Sequence, residues 1–289
     1  MKKPIFTGVC TALVTPFHNG TVDTTMLERL LIRQLEAGVK AFVLCGTTGE
    51  APTLSDEEKC LIFRIARDCV GRGAVILAGT GSNDTAHAVR LSRAAEDCGA
   101  DGLLVVSPYY NKATPSGLLA HYRAVAEAVS LPVILYNVPT RTAVDLPVSV
   151  CRELAELPNI AGIKEASSDL QKVGELRSVC PESFSIWSGN DDLTLPVIAL
   201  GGQGVISVAS NVRPGEMVRM TDAALNGNFR EANQVYRRLL PLMKQMFSEV
   251  NPIPVKAAME MLGYDCGGCR LPLTPLSDPH RQELQRLLT

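Results

Sequence analysis

The 289-residue sequence lacks most of the features that would assign it to a common functional class. No apolar run approaches the ~18 residues that a membrane-crossing helix needs, so a spanning segment is excluded. Lys and Arg number 28 against 30 Asp and Glu, and no basic run stands out. The electrostatic footprint of a nucleic-acid or acidic-membrane binder is therefore missing. There is no G-x-S-x-G nucleophile elbow, no G-x-G-x-x-G dinucleotide fingerprint and no G-x-x-x-x-G-K-[ST] phosphate loop. The four histidines, His18, His87, His121 and His280, show no close metal-ligand spacing. Cys266 and Cys269 form a single C-x-x-C with no second pair, and it is expected to lie away from any active-site mouth as a loop with two free thiols. No metal and no cofactor are expected.

Nine cysteines, an odd number over a long chain, read as free thiols in a reducing compartment rather than as a disulfide framework. Met1-Lys2-Lys3 is followed by Thr7, Gly8, Thr11 and Pro16, which makes a poor signal-peptide core and a plausible first strand. A cytoplasmic protein is the expectation. Hydrophobic residues at 46% and charged residues at 20% suit a globular chain with a substantial core.

The apolar pattern alternates between short β-like runs and longer helical ones. Strand candidates are Val9–Val14, Ala41–Cys45, Ala74–Ala78, Gly102–Val106, Val133–Tyr136, Ile160–Lys164, Phe184–Trp187 and Gly204–Val208. Thr25–Ala37, Asp56–Val70, Asp84–Cys98, Ser116–Val129, Leu170–Cys180 and Gly215–Leu225 repeat apolar residues at helical spacing. Ser55 and Glu58 predict a capping box, and Gly38, Gly71 and Gly99 stand where helices should stop. Helices between strands demand a parallel sheet. Eight such units in about 225 residues predict a (β/α)8 TIM barrel, an α/β fold, over residues 1–225. Residues 226–289 read as a helical extension packed on the barrel in the same domain, with helices over Asn228–Glu249, Pro252–Leu262 and Asp278–Leu288.

Barrels of this kind carry their chemistry at the C-terminal ends of the strands. Those ends here hold Gly46-Thr47-Thr48-Gly49-Glu50, Tyr109-Tyr110-Asn111-Lys112, Tyr136 through Thr142, Ile163-Lys164-Glu165, Gly189-Asn190-Asp191 and Ile206-Ser207. Alternation along the sixth strand places Lys164 on the face opposite to Ile163 and Glu165. If those two meet the helices, Lys164 points into the barrel. An amine withdrawn from water is disfavoured as ammonium, and the neutral amine is a nucleophile towards a carbonyl. A lysine snorkelling from a strand end is the plain alternative. Tyr136, on the adjacent strand, can present a phenol beside that amine, with Thr47 and Tyr110 as hydroxyl partners in a proton chain. The glycine-flanked Thr47-Thr48 turn offers N–H and hydroxyl groups to a carboxylate. Arg141 can bind a second carboxylate or serve in a surface ion pair.

Together these motifs resemble the dihydrodipicolinate synthase family, within the pyruvate-dependent lyases and aldolases. The likeness runs from Gly8 to about Pro272 and rests on Gly46–Glu50, Pro108–Lys112, Tyr136–Thr142, Gly162–Glu165 and Gly204–Val208. The resemblance implies that Lys164 forms an imine with pyruvate, and that the derived enamine adds to aspartate semialdehyde. It implies Tyr136 as proton donor and acceptor, with Thr47 and Tyr110 completing the relay. Tyr110 would be supplied by a neighbouring subunit of a tight dimer, usually within a homotetramer. Thr48 and the backbone at Ile206 match positions that hold pyruvate, and Arg141 matches the residue near the semialdehyde carboxylate, with Gly189 close by. A sugar-acid aldolase such as N-acetylneuraminate lyase is the alternative, although it needs no arginine at position 141 and commonly has Ser-Thr in the first turn. The resemblance also implies weak or absent inhibition by lysine. The positions matching the effector pocket read Ala51, Asp56, Lys59 and His87, while Asn83 and Tyr109 are retained.

Overall fold

The computed structural model describes residues 3–289. Strand β1 (Gly8–Ala12) is followed by a small antiparallel hairpin of β2 (Phe17–His18) and β3 (Thr21–Val22), then by helix α1 (Thr24–Glu36) and strand β4 (Ala41–Leu44). Alternation continues with α2 (Asp56–Val70), β5 (Val75–Gly79), α3 (Thr85–Asp97), β6 (Gly102–Val106), α4 (Pro115–Ala128) and β7 (Val133–Asn137). Next come a short turn of helix, α5 (Pro139–Thr142), then α6 (Val148–Leu154), β8 (Ile160–Glu165), α7 (Leu170–Val179) and β9 (Ser185–Ser188). The last unit has α8 (Thr194–Ala199), β10 (Gly204–Ser207) and α9 (Pro214–Leu225). Eight parallel strands close in the order β1-β10-β9-β8-β7-β6-β5-β4. The chain is a TIM barrel.

Closure divides the apolar residues into two cores. The inner one fills the barrel with Cys10, Val43, Leu77, Leu104, Ile134, Trp187 and Ile206, and Phe6 stacks on Trp187 with ring centroids 4.8 Å apart. The outer one lies between strands and helices and includes Phe42, Phe63, Ile76, Leu135, Ile163 and Ile186. Alternate residues of one strand therefore serve different cores, as the period-2 pleat requires.

The expected capping box is present: Ser55 Oγ accepts from Glu58 N at 3.2 Å, and Glu58 Oε2 accepts from Ser55 N at 3.0 Å. The first strand ends two residues earlier than its apolar run suggests. Val14 N donates to Asn211 Oδ1 at 3.2 Å, so the ladder has given way to a side-chain bond there. After the barrel, α10 (Phe229–Gln245) packs on α9, α11 (Ile253–Met261) follows, and α12 (Asp278–Leu288) lies against both α10 and α11.

One buried histidine ties stability to pH. His121 on α4 meets Thr85 Oγ1 at 2.9 Å through Nδ1, and its buried Nε2 has no partner. Burial lowers its pKa from 6.5 to about 4, partly opposed by Asp84. Between those values the unfolded chain binds the extra proton, so the stability from the neutral ring is present above 6.5 and is lost as pH falls towards 4. The expected loss is ~3 kcal/mol over that window. Urea unfolding at pH 7, 5.5 and 4 should show it, and His121→Gln should flatten that part of the profile; an unchanged slope in the variant would contradict the assignment.

Candidate active site

The register of the strands brings the central pair together. Tyr136 of β7 is the lateral partner of Lys164 in β8, and Lys164 is that of Trp187 in β9, so all three side chains face the same way. The Lys164 Nζ stands 4.2 Å from the centroid of the Tyr136 ring. The neighbouring residues face outward instead. Asn137 Nδ2 donates to Glu165 Oε2 at 3.0 Å, and Lys172 of α7 pairs with Glu165 at 3.8 Å and with Asp145. Lys164 therefore points inward with Glu165 on the helix side.

Among the described residues four lysines are more than nine-tenths buried: Lys59, Lys164, Lys172 and Lys256. Lys59 pairs with Asp56 at 3.8 Å, Lys172 with Asp145 and Glu165, and Lys256 with Glu50 at 2.7 Å. Among the described residues no carboxylate pairs with Lys164. A buried ammonium without an acid is costly, which is why buried lysines ordinarily carry one. Lys164 has an aromatic face in place of an acid, and its amine is not consumed by an ion pair.

Above this pair opens a cavity of about 400 Å³. Its wall includes Thr47, Tyr136, Val138 and Arg141, and it extends to Ala51, Asp56, Lys59, His87 and Tyr109. Gly79 belongs to the wall as well, where a Cβ would come within 2.2 Å of the Cys45 carbonyl oxygen. Any larger residue would push β5 off the β4 turn. Thr48, Lys164, Gly189 and Ile206 do not line the cavity. Gly189 is nonetheless against the lysine: a Cβ there would stand 3.1 Å from Lys164 Cε and 2.5 Å from Ala166 Cβ. Ile206 is fully buried and paired with Cys10 in the ladder. Burial raises the thiol pKa of Cys10, against the opposing pull of the Lys164 charge, so the thiol stays protonated. Tyr110 does not line the cavity either, and it points away from the protein. It stands 88% exposed at φ +72°.

Non-glycine residues with positive φ cluster at this end of the barrel. Cys45 and Glu50 follow β4, Tyr110 and Lys112 follow β6, Ala143 follows β7 and Ser168 follows β8. Such conformations cost about 1–3 kcal/mol each where nothing compensates, and they collect where loops are shaped for function. Glu50 shows the compensation. Its buried carboxylate accepts from Lys256 Nζ of α11 at 2.7 Å and from Arg270 N at 2.8 Å. Lys256 and Arg270 also flank the Phe17 ring at 4.3 and 4.2 Å.

Those partners correct one expectation. The C-x-x-C segment does not lie away from the mouth: Gly268 O accepts from Lys256, and Arg270 N reaches the Thr-Thr-Gly-Glu turn directly. Both thiols are raised by burial, Cys266 to about 12 and Cys269 to about 11. Sequence reasoning also missed Asn251, which donates from Nδ2 to Thr48 Oγ1 at 3.0 Å and accepts Arg141 Nη2 on its carbonyl at 3.1 Å. Asn251 and Lys256 lie more than 200 residues from Thr48 and Glu50, and neither carries a local motif. Among the described residues no group of three or more His, Cys, Asp or Glu is arranged to hold a metal ion.

A model of the dihydrodipicolinate synthetase family matches residues 5–289. The chain is 45% identical over 288 residues to the 4-hydroxy-tetrahydrodipicolinate synthase of Acetivibrio thermocellus, an alignment that covers all of this chain and 98% of that protein. Two solved structures are similar over almost the whole length. The chloride-inhibited dihydrodipicolinate synthase of Acinetobacter baumannii, complexed with pyruvate, has a TM-score of 0.95 at 42% identity, with 98% of each chain covered. The dihydrodipicolinate synthase of Cyanidioschyzon merolae with lysine bound has a TM-score of 0.96 at 39% identity, covering 99% of this chain and 98% of that one.

The lock on the Thr-Thr turn has a measurable weight. Glu50→Ala leaves the Lys256 ammonium buried without its acid, and the expected loss is about 3–5 kcal/mol of stability. Glu50→Leu combined with Lys256→Met should recover most of it, because neither charge then remains unpaired. Urea-unfolding midpoints decide the matter: a single variant as stable as the parent would mean that the pair contributes nothing to the turn.

Proposed function

The chain belongs to the dihydrodipicolinate synthetase family, and from that premise we propose that it condenses pyruvate with L-aspartate 4-semialdehyde as a 4-hydroxy-tetrahydrodipicolinate synthase. It is a lyase of the Schiff-base class, acting in the diaminopimelate route to lysine. The observation that carries the reading is Lys164, buried, without an acid, and in contact with Tyr136.

In this mechanism the Lys164 amine attacks the ketone carbon of pyruvate, and the adduct loses water to give an imine. The methyl group gives up a proton, and the electron pair moves into the imine to form an enamine. The enamine carbon bonds to the semialdehyde carbon. The substrate's own amine then attacks the imine carbon, the ring closes, and Lys164 leaves as the free amine. Proton transfers at the phenol of Tyr136, relayed by Thr47, serve each step. Thr48 and the backbone at Ile206 hold the pyruvate carboxylate. Arg141, exposed with only its Nη2 bonded to Asn251 O, has guanidinium N–H groups left for the semialdehyde carboxylate. The closeness of Gly189 to Lys164 Cε leaves no room for a side chain on that flank.

Tyr110 completes the relay from a neighbouring subunit. Its 88% exposure and its left-handed backbone suit a side chain offered to a partner copy, within a dimer of dimers. No helix among the described residues is long and apolar enough to cross a membrane. A cytoplasmic enzyme acting on small anionic metabolites accords with the nine free cysteines.

The assay that tests the reading supplies pyruvate and aspartate semialdehyde and follows the product through a coupled dihydrodipicolinate reductase. Turnover in the unmodified protein is expected, and Arg141→Ala should lower kcat/KM for the semialdehyde tenfold to a hundredfold, the ~1.5–3 kcal/mol of a charge-assisted bond. No turnover, with efficient cleavage of N-acetylneuraminate instead, would refute it.

Feedback by lysine should be weak or absent. The Asp56 carboxylate meets His87 Nε2 at 3.0 Å and Lys59 Nζ at 3.8 Å, so the acid that would receive a cationic effector is already engaged. Lys59 adds like charge to the same cavity wall. A lysine titration of initial rates at saturating pyruvate checks this; half-inhibition below about 1 mM, an affinity of −4.1 kcal/mol or tighter, would contradict it.

A further inference from the structure

Asn251 follows α10 and is more than nine-tenths buried. Its side-chain Nδ2 donates to Thr48 Oγ1 at 3.0 Å, while its backbone carbonyl accepts from Arg141 Nη2 at 3.1 Å. One residue from the C-terminal extension thus touches the group assigned above to pyruvate and the group assigned to the semialdehyde. Its Oδ1 is buried and has no partner.

The two contacts differ in what they require of the residue. Arg141 uses the backbone carbonyl, which any residue provides. Thr48 uses the side-chain amide, which only a donor of this reach provides. A threonine hydroxyl has one proton to give and lone pairs to receive. Because Asn251 donates into Oγ1, that oxygen is the acceptor in the contact and its own hydrogen is directed elsewhere. Among the described residues no acceptor takes it, and Thr48 is buried. A buried O–H with nothing to bond is a standing cost. An incoming carboxylate relieves it.

We propose that Asn251 is a positioning residue that sets the polarity of the Thr48 hydroxyl, holding it as a hydrogen-bond donor for the carboxylate of pyruvate. The proposal rests on the reading that Thr48 holds that substrate. An acceptor at position 251 would do the reverse, taking the hydroxyl proton and presenting lone pairs to an anion. The choice of an amide over a carboxylate or an apolar residue at position 251 is thereby a choice about pyruvate. The second substrate is affected only through the backbone.

Steady-state kinetics of Asn251→Ala, Asn251→Asp, Thr48→Val and the Asn251→Ala/Thr48→Val pair test this in the coupled assay. Asn251→Ala should raise KM for pyruvate about tenfold, the scale of one hydrogen bond to a charged group, and leave KM for the semialdehyde within about twofold. Asn251→Asp, nearly identical in shape, should raise the pyruvate KM at least as much, and it keeps the test open should the alanine variant fold poorly. In the double variant the Asn251 substitution should add nothing to Thr48→Val, because the hydroxyl it orients is gone. An unchanged pyruvate KM in Asn251→Ala or Asn251→Asp, or additive losses in the double variant, would overturn the positioning role. If the unmodified protein makes no product from the two substrates, the functional reading fails and takes this proposal with it; product formation with an indifferent Asn251 sinks the positioning role alone.

Discussion

Closing eight parallel strands on themselves leaves little freedom in which side chains meet. Tyr136, Lys164 and Trp187 occupy one lateral row across β7, β8 and β9, so they share a face, and the pleat sends Asn137 and Glu165 to the other. The inward row enters an apolar interior built from Val43, Leu77, Leu104, Ile134 and Ile206. The outward row enters a polar network with Lys172 and Asp145. One strand thus delivers an acid to a lysine on α7 while withholding every acid from its own. That separation is the physical basis of the proposed chemistry, since an amine engaged by a carboxylate is a poor nucleophile.

The second constraint comes from outside the barrel. The loop after β4 contains two left-handed non-glycine residues, Cys45 and Glu50, and a loop of that kind needs partners that over-determine it. They come from the C-terminal extension: Lys256 and Arg270 on Glu50, and Asn251 on Thr48. The extension therefore does more than add a packed layer to α9. It holds the Thr-Thr turn and the guanidinium of Arg141 in one frame, which ties the two proposed carboxylate sites to each other.

Much of this was legible in the residues. Alternation put Lys164 on the face opposite Ile163 and Glu165, because a period of 2 is a local property, but which face is inward was settled only by the packing of Ile163 in the outer core. The capping box at Ser55 and Glu58 was legible for the same reason. Helices α6 and α8 were not singled out, since 7 and 6 residues are too few to display a helical period. Asn251 and Lys256 were invisible for a different reason. Their partners lie more than 200 residues away, and nothing about an isolated Asn-Pro or a lysine in an apolar helix announces a contact at that range. The placing of Cys266 and Cys269 failed likewise, because the fold returns that loop to β4 by contacts that no spacing rule encodes. Tyr110 is the converse case: its tyrosine was legible as a motif, but its exposure shows that proximity to the cavity does not follow from a place at a strand end.

The central claim is that the buried amine without an acid is the reacting one. Incubation with pyruvate and borohydride, followed by peptide mass mapping, tests it most directly, because four buried lysines compete among the described residues. The account predicts a reduced pyruvate adduct on the peptide carrying Lys164, and none on those carrying Lys59, Lys172 or Lys256. An adduct on any of these three, or an unmodified Lys164 in inactivated protein, would contradict it.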